Sequence, residues 1–394
     1  MGATGPRFAA LRAFFRGDAA GGYLLMLSAL AALILANSPA RDAYAALLDL
    51  PIGVRAGAWH AALPLAGWVN DALMALFFLL VGLEIRRELI EGQLASLPRA
   101  AGPALAALGG MAVPALIYAA IAWRDAAALR GWAVPMATDI AFSLAALRLL
   151  GHRVPAGVKV FLTALAIIDD LGAILVIALF YAVRLDPAAL GAALLVVLLL
   201  FTLARAGLRA LWPFMLGFAL LWACLARSGL HPTLAGVAVA FLVPMTEREG
   251  TSPARRLEHA LAGWVSLGVL PLFALVNAGL RFAALTPQML LDPVLPGIVL
   301  GLFLGKQAGV FGAAWLGCRA GLLRLPAQLN WRLLYGTAAL SGIGFTMSLF
   351  IGHLAFGPGA RQTELQAAVL LGSLLSAGLG LAVLAASGRA AAGR

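Results

Sequence analysis

Two adjacent aspartates, Asp169 and Asp170, lie inside the apolar run TALAIIDDLGAILVIALFYAV, residues 163–183. Asp139, in VPMATDIAF beside Thr138, and Lys306, in GLFLGKQAGVFGAAWL, are the other ionisable groups deep in apolar segments. A charge at the centre of a membrane helix costs about 2.5–3.5 kcal/mol on insertion scales, so such residues mark ion or proton pathways by default. A structural ion pair of Lys306 with one aspartate is the plainer role, but it leaves carboxylates over: three acids face one base. Adjacent carboxylates out of water do not both ionise readily. Such a site carries a proton near neutral pH and releases it when another cation takes its place. Carboxylate oxygens suit hard cations. A site that binds a cation or protons, but not both, has the chemistry of cation/proton exchange. Of the 28 basic residues 26 are arginine, and the two lysines are Lys159 and Lys306. Arginine does not deprotonate in proteins, whereas a buried lysine changes state readily, so a lysine at 306 fits a group that must sometimes give up its partner or its proton.

The elements that hold these residues follow from composition. The 394 residues are 63% hydrophobic and 11% charged, against about 25% charged in soluble domains. This predicts a polytopic membrane protein. Continuous apolar runs of the order of 20 residues predict helices, because barrel strands would alternate at period 2. Twelve segments are expected, near 18–36, 65–85, 101–122, 131–149, 157–181, 188–204, 211–226, 231–244, 259–278, 296–317, 333–355 and 364–387. The seventh and eighth are short for a full span. Cys224 and Cys318 sit in apolar runs and read as small hydrophobes. No CxxC, HExxH or P-loop pattern occurs, and the exchange chemistry of the buried charges leads to the expectation of a transporter without a cofactor, not an enzyme. The net charge of +11 is assigned to loop arginines that set orientation, not to nucleic-acid binding.

With the N-terminus inside and the spans alternating, the cytoplasmic segments hold 19 basic residues, the external ones 8, and one, Lys306, lies in a span. This bias places both termini in the cytoplasm. The anchors on that side include Arg86, Arg87, Arg153, Lys159, Arg255, Arg256, Arg324 and Arg332. Spans three to five then start inside, and spans ten to twelve start outside. The chain is read as one transmembrane domain over 1–394, with inverted repeats at about 101–181 and 296–388. The middle span of each triplet carries a helix breaker: Pro135 near Thr138 and Asp139, and Gly342 with Gly344 in SGIGFTMS. Interrupted helices at matching places in two halves point to a site near the membrane midplane.

The segments FLTALAIIDDLGAILVIALFY, PMATDIAFSLAALRLLG, NDALMALFFLLVGLEIRREL, SGLHPTLAGVAVAFLVP, SPARRLEHALAGWV, PLFALVNAGL and GIGFTMSLFI closely resemble the NhaA family of sodium/proton antiporters, over roughly residues 12–385. That family is among the known inverted-repeat transporters. The resemblance implies an all-α fold of about twelve transmembrane helices with crossing interrupted helices. It implies electrogenic exchange of internal Na+ or Li+ for external H+ in the bacterial inner membrane, serving pH homeostasis and salt tolerance. Asp170 matches the family's primary cation ligand and proton carrier, and Asp169 the neighbour that pairs with the membrane lysine, Lys306. Thr138 and Asp139 match the pair in the first interrupted helix, where Asp139 and Lys306 offset facing helix-end charges. Glu84, Arg87, Glu88, Arg255, Glu258 and His259, with His231, match residues tied to the pH response. Arg255 stands where the best-known members have lysine. The long external segment at about 49–66 matches a β-hairpin that pairs across a homodimer. Asp71 matches a family acid without an assigned role, and His353 is expected to be a capped or snorkelled histidine.

Two other classes compete. An intramembrane aspartyl protease would use aspartates facing one another from separate helices, but these are adjacent and no GxGD motif is present. A proton-coupled solute symporter would need a roomier site with more side-chain donors than these few small polar residues supply.

Overall fold

In the computed structural model, residues 20–56, 59–92, 94–151, 154–182, 184–245, 252–323, 325, 328–357, 359 and 361–392 are described. The basic N-terminus and the anchors Arg153 and Arg324 lie outside the described residues. Each of the twelve apolar segments has a helical counterpart. Among the described residues seven helices are long and apolar enough to cross a membrane alone, and two bent pairs raise that to nine. The others are short or interrupted.

The first helix, α1 (Ala20–Ala36), turns by 118° into α2 (Arg41–Leu48), which the sequence pattern does not anticipate. The cause is local. Asn37 donates back to the Leu33 carbonyl (2.8 Å) and across to the Leu280 carbonyl (2.7 Å), and Pro39 cannot continue a helix. Tyr44 then anchors α2 by donating to the Leu275 carbonyl (2.5 Å). The long 49–66 segment is an antiparallel hairpin of β1 (Pro51–Ala56) and β2 (Trp59–Pro64), with Pro51 opposite Pro64.

Four long helices follow, α3 (Leu65–Ile90), α4 (Leu97–Ala122), α6 (Ala156–Phe180) and α7 (Pro187–Arg205), with α5 (Ile140–Arg148) between α4 and α6 and the shorter α8 (Trp212–Ser228) after α7. Asp186 caps α7 through the Ala188 amide (2.9 Å). Gly229 ends α8 at φ 85, a left-handed conformation that favours glycine. The second part of the chain holds α9 (Leu234–Leu242), α10 (Pro253–Asn277), α11 (Val294–Arg319), the bent pair α12 (Trp331–Leu340) and α13 (Phe345–Phe356), and α14 (Gln362–Ala392). The order long helix, interrupted helix, long helix therefore occurs twice, as α4–α5–α6 and as α11–α12/α13–α14.

α4 and α11 pack with their backbones nearly touching. A methyl group added at Gly109 would collide with the Gly309 carbonyl, and one added at Gly309 with the Gly109 carbonyl. Small residues permit such approach between membrane helices, where van der Waals packing is a main driving force. Gly110 faces Val310 and the Lys306 side chain. The glycine contact thus sets how closely the buried lysine approaches the first triplet.

Candidate functional site

The site begins with two breaks. Before α5 the chain runs through a 3-10 stretch, Arg130–Met136, and reaches Asp139 in extended conformation. Between α12 and α13, bent by 45°, four residues leave the helix, Ser341 to Gly344. A break inside a membrane exposes backbone groups that only protein can satisfy. Here each break satisfies the other. The Asp139 amide donates to the Ile343 carbonyl (2.7 Å). Thr138 Oγ1 donates to the Ser341 carbonyl (2.8 Å), and Ser143 Oγ to the Leu340 carbonyl (3.3 Å). Ser348 Oγ returns a bond to the Val134 carbonyl (2.8 Å). From α14, Ser373 Oγ accepts from the Gly344 and Phe345 amides (3.3 and 3.2 Å).

Asp139 serves two helix N-termini at once. Its Oδ1 accepts from the Phe142 amide (2.9 Å), capping α5, while its Oδ2 accepts from the Thr346 amide (3.0 Å) and hydroxyl (2.5 Å), capping α13. A carboxylate here meets the positive ends of two helix dipoles. The expected role of Asp139 at helix ends therefore has a geometry. Lys306 is placed differently: its Nζ donates to Asp169 Oδ2 (2.5 Å), and among the described residues no hydrogen bond takes it to a helix-end carbonyl.

Asp169 Oδ2 also lies 2.6 Å from Thr138 Oγ1 and shares that hydroxyl's single hydrogen with the Ser341 carbonyl. Asp169 and Lys306 are 0% exposed and Asp170 2%, so this is a buried pair whose charges have lost their water. Asp169 Oδ1 and Asp170 Oδ1 are buried without a hydrogen-bond partner. Buried carboxylate oxygens without donors are rare and call for a physical reason. Oxygens of this kind have the chemistry to accept a proton or ligate a hard cation. Among the described residues no group of three or more His, Cys, Asp or Glu side chains is placed to hold a metal ion. Asp139 is turned to the helix ends, so the free oxygens belong to the adjacent pair.

A cavity of about 490 Å³ runs between α1, α3, α5 and α10; Glu84, Arg148, Ile140, Ala141 and Ser266 are among its lining. Ile140 is the first residue of the helix that Asp139 caps. At the opposite side Phe350, one turn beyond Thr346, is packed by Phe78 (5.2 Å between ring centroids), Phe273 (6.4 Å) and His231 (5.4 Å). The cavity thus comes to within one residue of Asp139 along the chain, while Asp169 and Asp170 are not among its lining.

The residues expected for the pH response fall into two places. Arg87 pairs with Glu258 (3.0 Å) and lies 3.6 Å from Glu88; Arg255 pairs with Glu91, and His259 Nδ1 lies 2.7 Å from the Arg255 carbonyl. His231 is not with them. Its Nε2 lies 3.8 Å from Asp71 Oδ1 and its Nδ1 2.8 Å from Thr233 Oγ1. Asp71 precedes Glu84 by thirteen residues on α3, about 20 Å along a helix. His353 is held between the Leu349 carbonyl (2.6 Å) and Gln362 (2.5 Å), as a capped histidine should be. Sequence reasoning missed Thr346, Ser373 and Glu91. Thr346 had a usable signal, since it comes just after the Gly342–Gly344 breaker, at N-cap distance.

A family model described as Na+/H+ antiporter 1 matches residues 12–384. The chain belongs to this family of Na+/H+ antiporters. The antiporter is 54% identical over 390 residues to a Na(+)/H(+) antiporter NhaA of Rhodospirillum rubrum, covering 96% of this chain and 98% of that one. A protein of the same name from Albidiferax ferrireducens is 52% identical, covering 96% and 97%, and one from Caulobacter vibrioides 49%, covering 96% and 91%. As a member of this family the antiporter is a multi-pass secondary transporter, not an enzyme, and works without a cofactor.

Proposed function

We propose that the chain is an electrogenic, pH-regulated antiporter that extrudes Na+ or Li+ in exchange for external H+, by competition of the cation and protons for Asp169 and Asp170. The observation that carries this reading is the adjacent buried pair: Asp169 tied by Lys306 and Thr138, and each aspartate with an oxygen that has no donor. Asp170 is the primary ligand and proton carrier. Asp169 exchanges its ammonium partner, and Thr138 and Asp139 hold the breaks that shape the site. Two titratable carboxylates against one monovalent cation supply the unequal charge that makes exchange electrogenic. The cavity at Glu84 is the cytoplasmic approach, and Arg87, Glu88, Arg255, Glu258 and His259, with His231 beside Asp71, tune the pH response. Repeats at about 101–181 and 296–388 rock against the remaining helices to alternate access. The protein lies in the bacterial inner membrane with both termini cytoplasmic. It pairs as a homodimer through the hairpin edge of 49–66, and it serves pH homeostasis and salt tolerance.

The test is proton movement in everted membrane vesicles on adding Na+, Li+ or K+, for the wild type and Asp170→Asn. Collapse of the pH gradient with Na+ and Li+ only, absent in the variant, is the expected result, with apparent Na+ affinity falling as pH falls. Near-normal exchange in Asp170→Asn, or an affinity independent of pH, would overturn competition at this carboxylate.

A further inference from the structure

We propose that Gln307 and Tyr335 are positioning residues that hold the Lys306 ammonium on Asp169. The inference rests on the reading of Asp169 and Asp170 as the exchange site. α11 does not reach Lys306 as a regular α-helix. Residues Gly301–Gly305 form a π-helical turn, which ends at Lys306. Such a turn carries an extra residue, rotates the helix beyond it, and loosens the backbone ladder. Gln307, adjacent to the lysine and 6% exposed, closes it: its Nε2 donates to the Phe303 carbonyl (2.5 Å) inside the turn. The Gln307 Oε1 accepts from the Tyr335 hydroxyl (2.7 Å) on α12. Tyr335 is fixed in turn by edge-to-face packing on Phe311 of α11 (5.7 Å).

The chain of contacts runs from the interrupted helix, through one tyrosine hydroxyl and one amide, into the turn that aims the lysine. The turn is also pinned from its other side. Gly301 lies against Pro135 and Gly305 against Pro114, so the first triplet constrains its position while Gln307 and Tyr335 constrain its twist. A lysine stem is flexible, and a single ion pair does not by itself fix where the stem begins. The amide–hydroxyl relay supplies that constraint. With the ammonium on Asp169 the two charges offset one another, and when the cation displaces it the relay keeps the stem aimed away from Asp170. If its backbone drifts, the displaced ammonium settles beside Asp170 and competes with the cation there.

The expected signature is therefore a binding effect. Tyr335→Phe removes only the hydroxyl and should raise the apparent Na+ KM roughly three- to ten-fold, the range of one net hydrogen bond. The maximal rate should change much less. Gln307→Met, of similar shape, should do the same, and the double variant should be no worse than either single one because both act through one relay. Tyr181→Phe is the control: it also deletes a tyrosine hydrogen bond, to the Arg130 carbonyl (2.8 Å), but that bond does not lead to Lys306, so KM should stay at the wild-type value. An unchanged KM in Tyr335→Phe beside an active wild type would overturn the inference. So would an equal rise in Tyr181→Phe, which would make both hydroxyls merely structural. An inactive wild type would instead reject the exchange reading itself.

Discussion

At the scale of single residues the three buried aspartates have the same type and different work. Asp139 accepts three hydrogen bonds at two helix N-termini, whereas Asp170 carries an oxygen with no donor. Stability and activity should separate accordingly. Asp139→Ala removes two helix caps and leaves buried donors unpaired, a loss of roughly 2–4 kcal/mol. Asp170→Asn removes a desolvated carboxylate with an unpartnered oxygen and should leave stability unchanged or raised while exchange is lost. Thermal unfolding of the purified variants in detergent checks both; equal destabilisation would show that Asp170 is as structural as Asp139. The four charges were legible in the sequence because ionisable groups stand out against an apolar run. Their division of labour was not, because a carboxylate's partners here are a backbone amide and a hydroxyl from a helix some two hundred residues away. Thr346 and Ser373 passed unnoticed for the same reason: small hydroxyl residues are common in membrane helices, and only the second break turns them into ligands for it.

At the scale of elements the interrupted helices depend on a close contact elsewhere. α4 and α11 meet at Gly109 and Gly309, and that contact carries Lys306 up to Gly110 and onward to Asp169. Gly309→Leu should push the helices apart. Overpacking of this kind costs about 1–3 kcal/mol, and here it should also lower exchange, because the lysine moves with its helix. At Gly312, three residues further on, an added Cβ meets nothing within 4 Å, so Gly312→Leu projects into open space and should be tolerated; a loss as large as at 309 would mean that the helix surface, not the glycine contact, matters. The span pattern was readable from hydropathy, and so was the pairing of Pro135 with Gly342 and Gly344 as two breaks. The turn into α2 was not, since eight residues with Arg41 and Asp42 carry no span signal and are held by Asn37 and Tyr44 from across the fold. The family likeness groups His231 with the Glu84 and Glu258 cluster, but it sits at the opposite end of α3 from Glu84, beside Asp71, and residue type carries no signal of that separation.

At the scale of the whole molecule the two triplets must move as one body if the breaks are to keep satisfying each other. The Gly109–Gly309 seam joins them within the membrane, and a charge cluster joins them at the end remote from Glu84. Arg361, ahead of α14, bonds Asp125 in the first triplet and lies 3.6 Å from Asp292, just before α11. Asp125 is also the cap of the short helix Ala126–Leu129, accepting from the Ala127 and Ala128 amides (both 2.9 Å). The Ala128 amide first, and the Arg361 guanidinium after it, hold the Asp125 carboxyl below its ordinary value. A carboxyl depressed in the folded state adds stability above its unfolded value, and that stability is lost as the pH falls through the folded one. Asp125→Asn keeps a capping oxygen and deletes only the charge. The wild type should therefore unfold at a higher temperature than Asp125→Asn at neutral pH, and the gap should narrow once the pH drops below about 4. High salt should narrow it as well, because the pair is solvent-accessible and screened. A gap that persists unchanged into acid would assign the stabilisation to the cap alone, leaving the triplets tied by their contacts within the membrane.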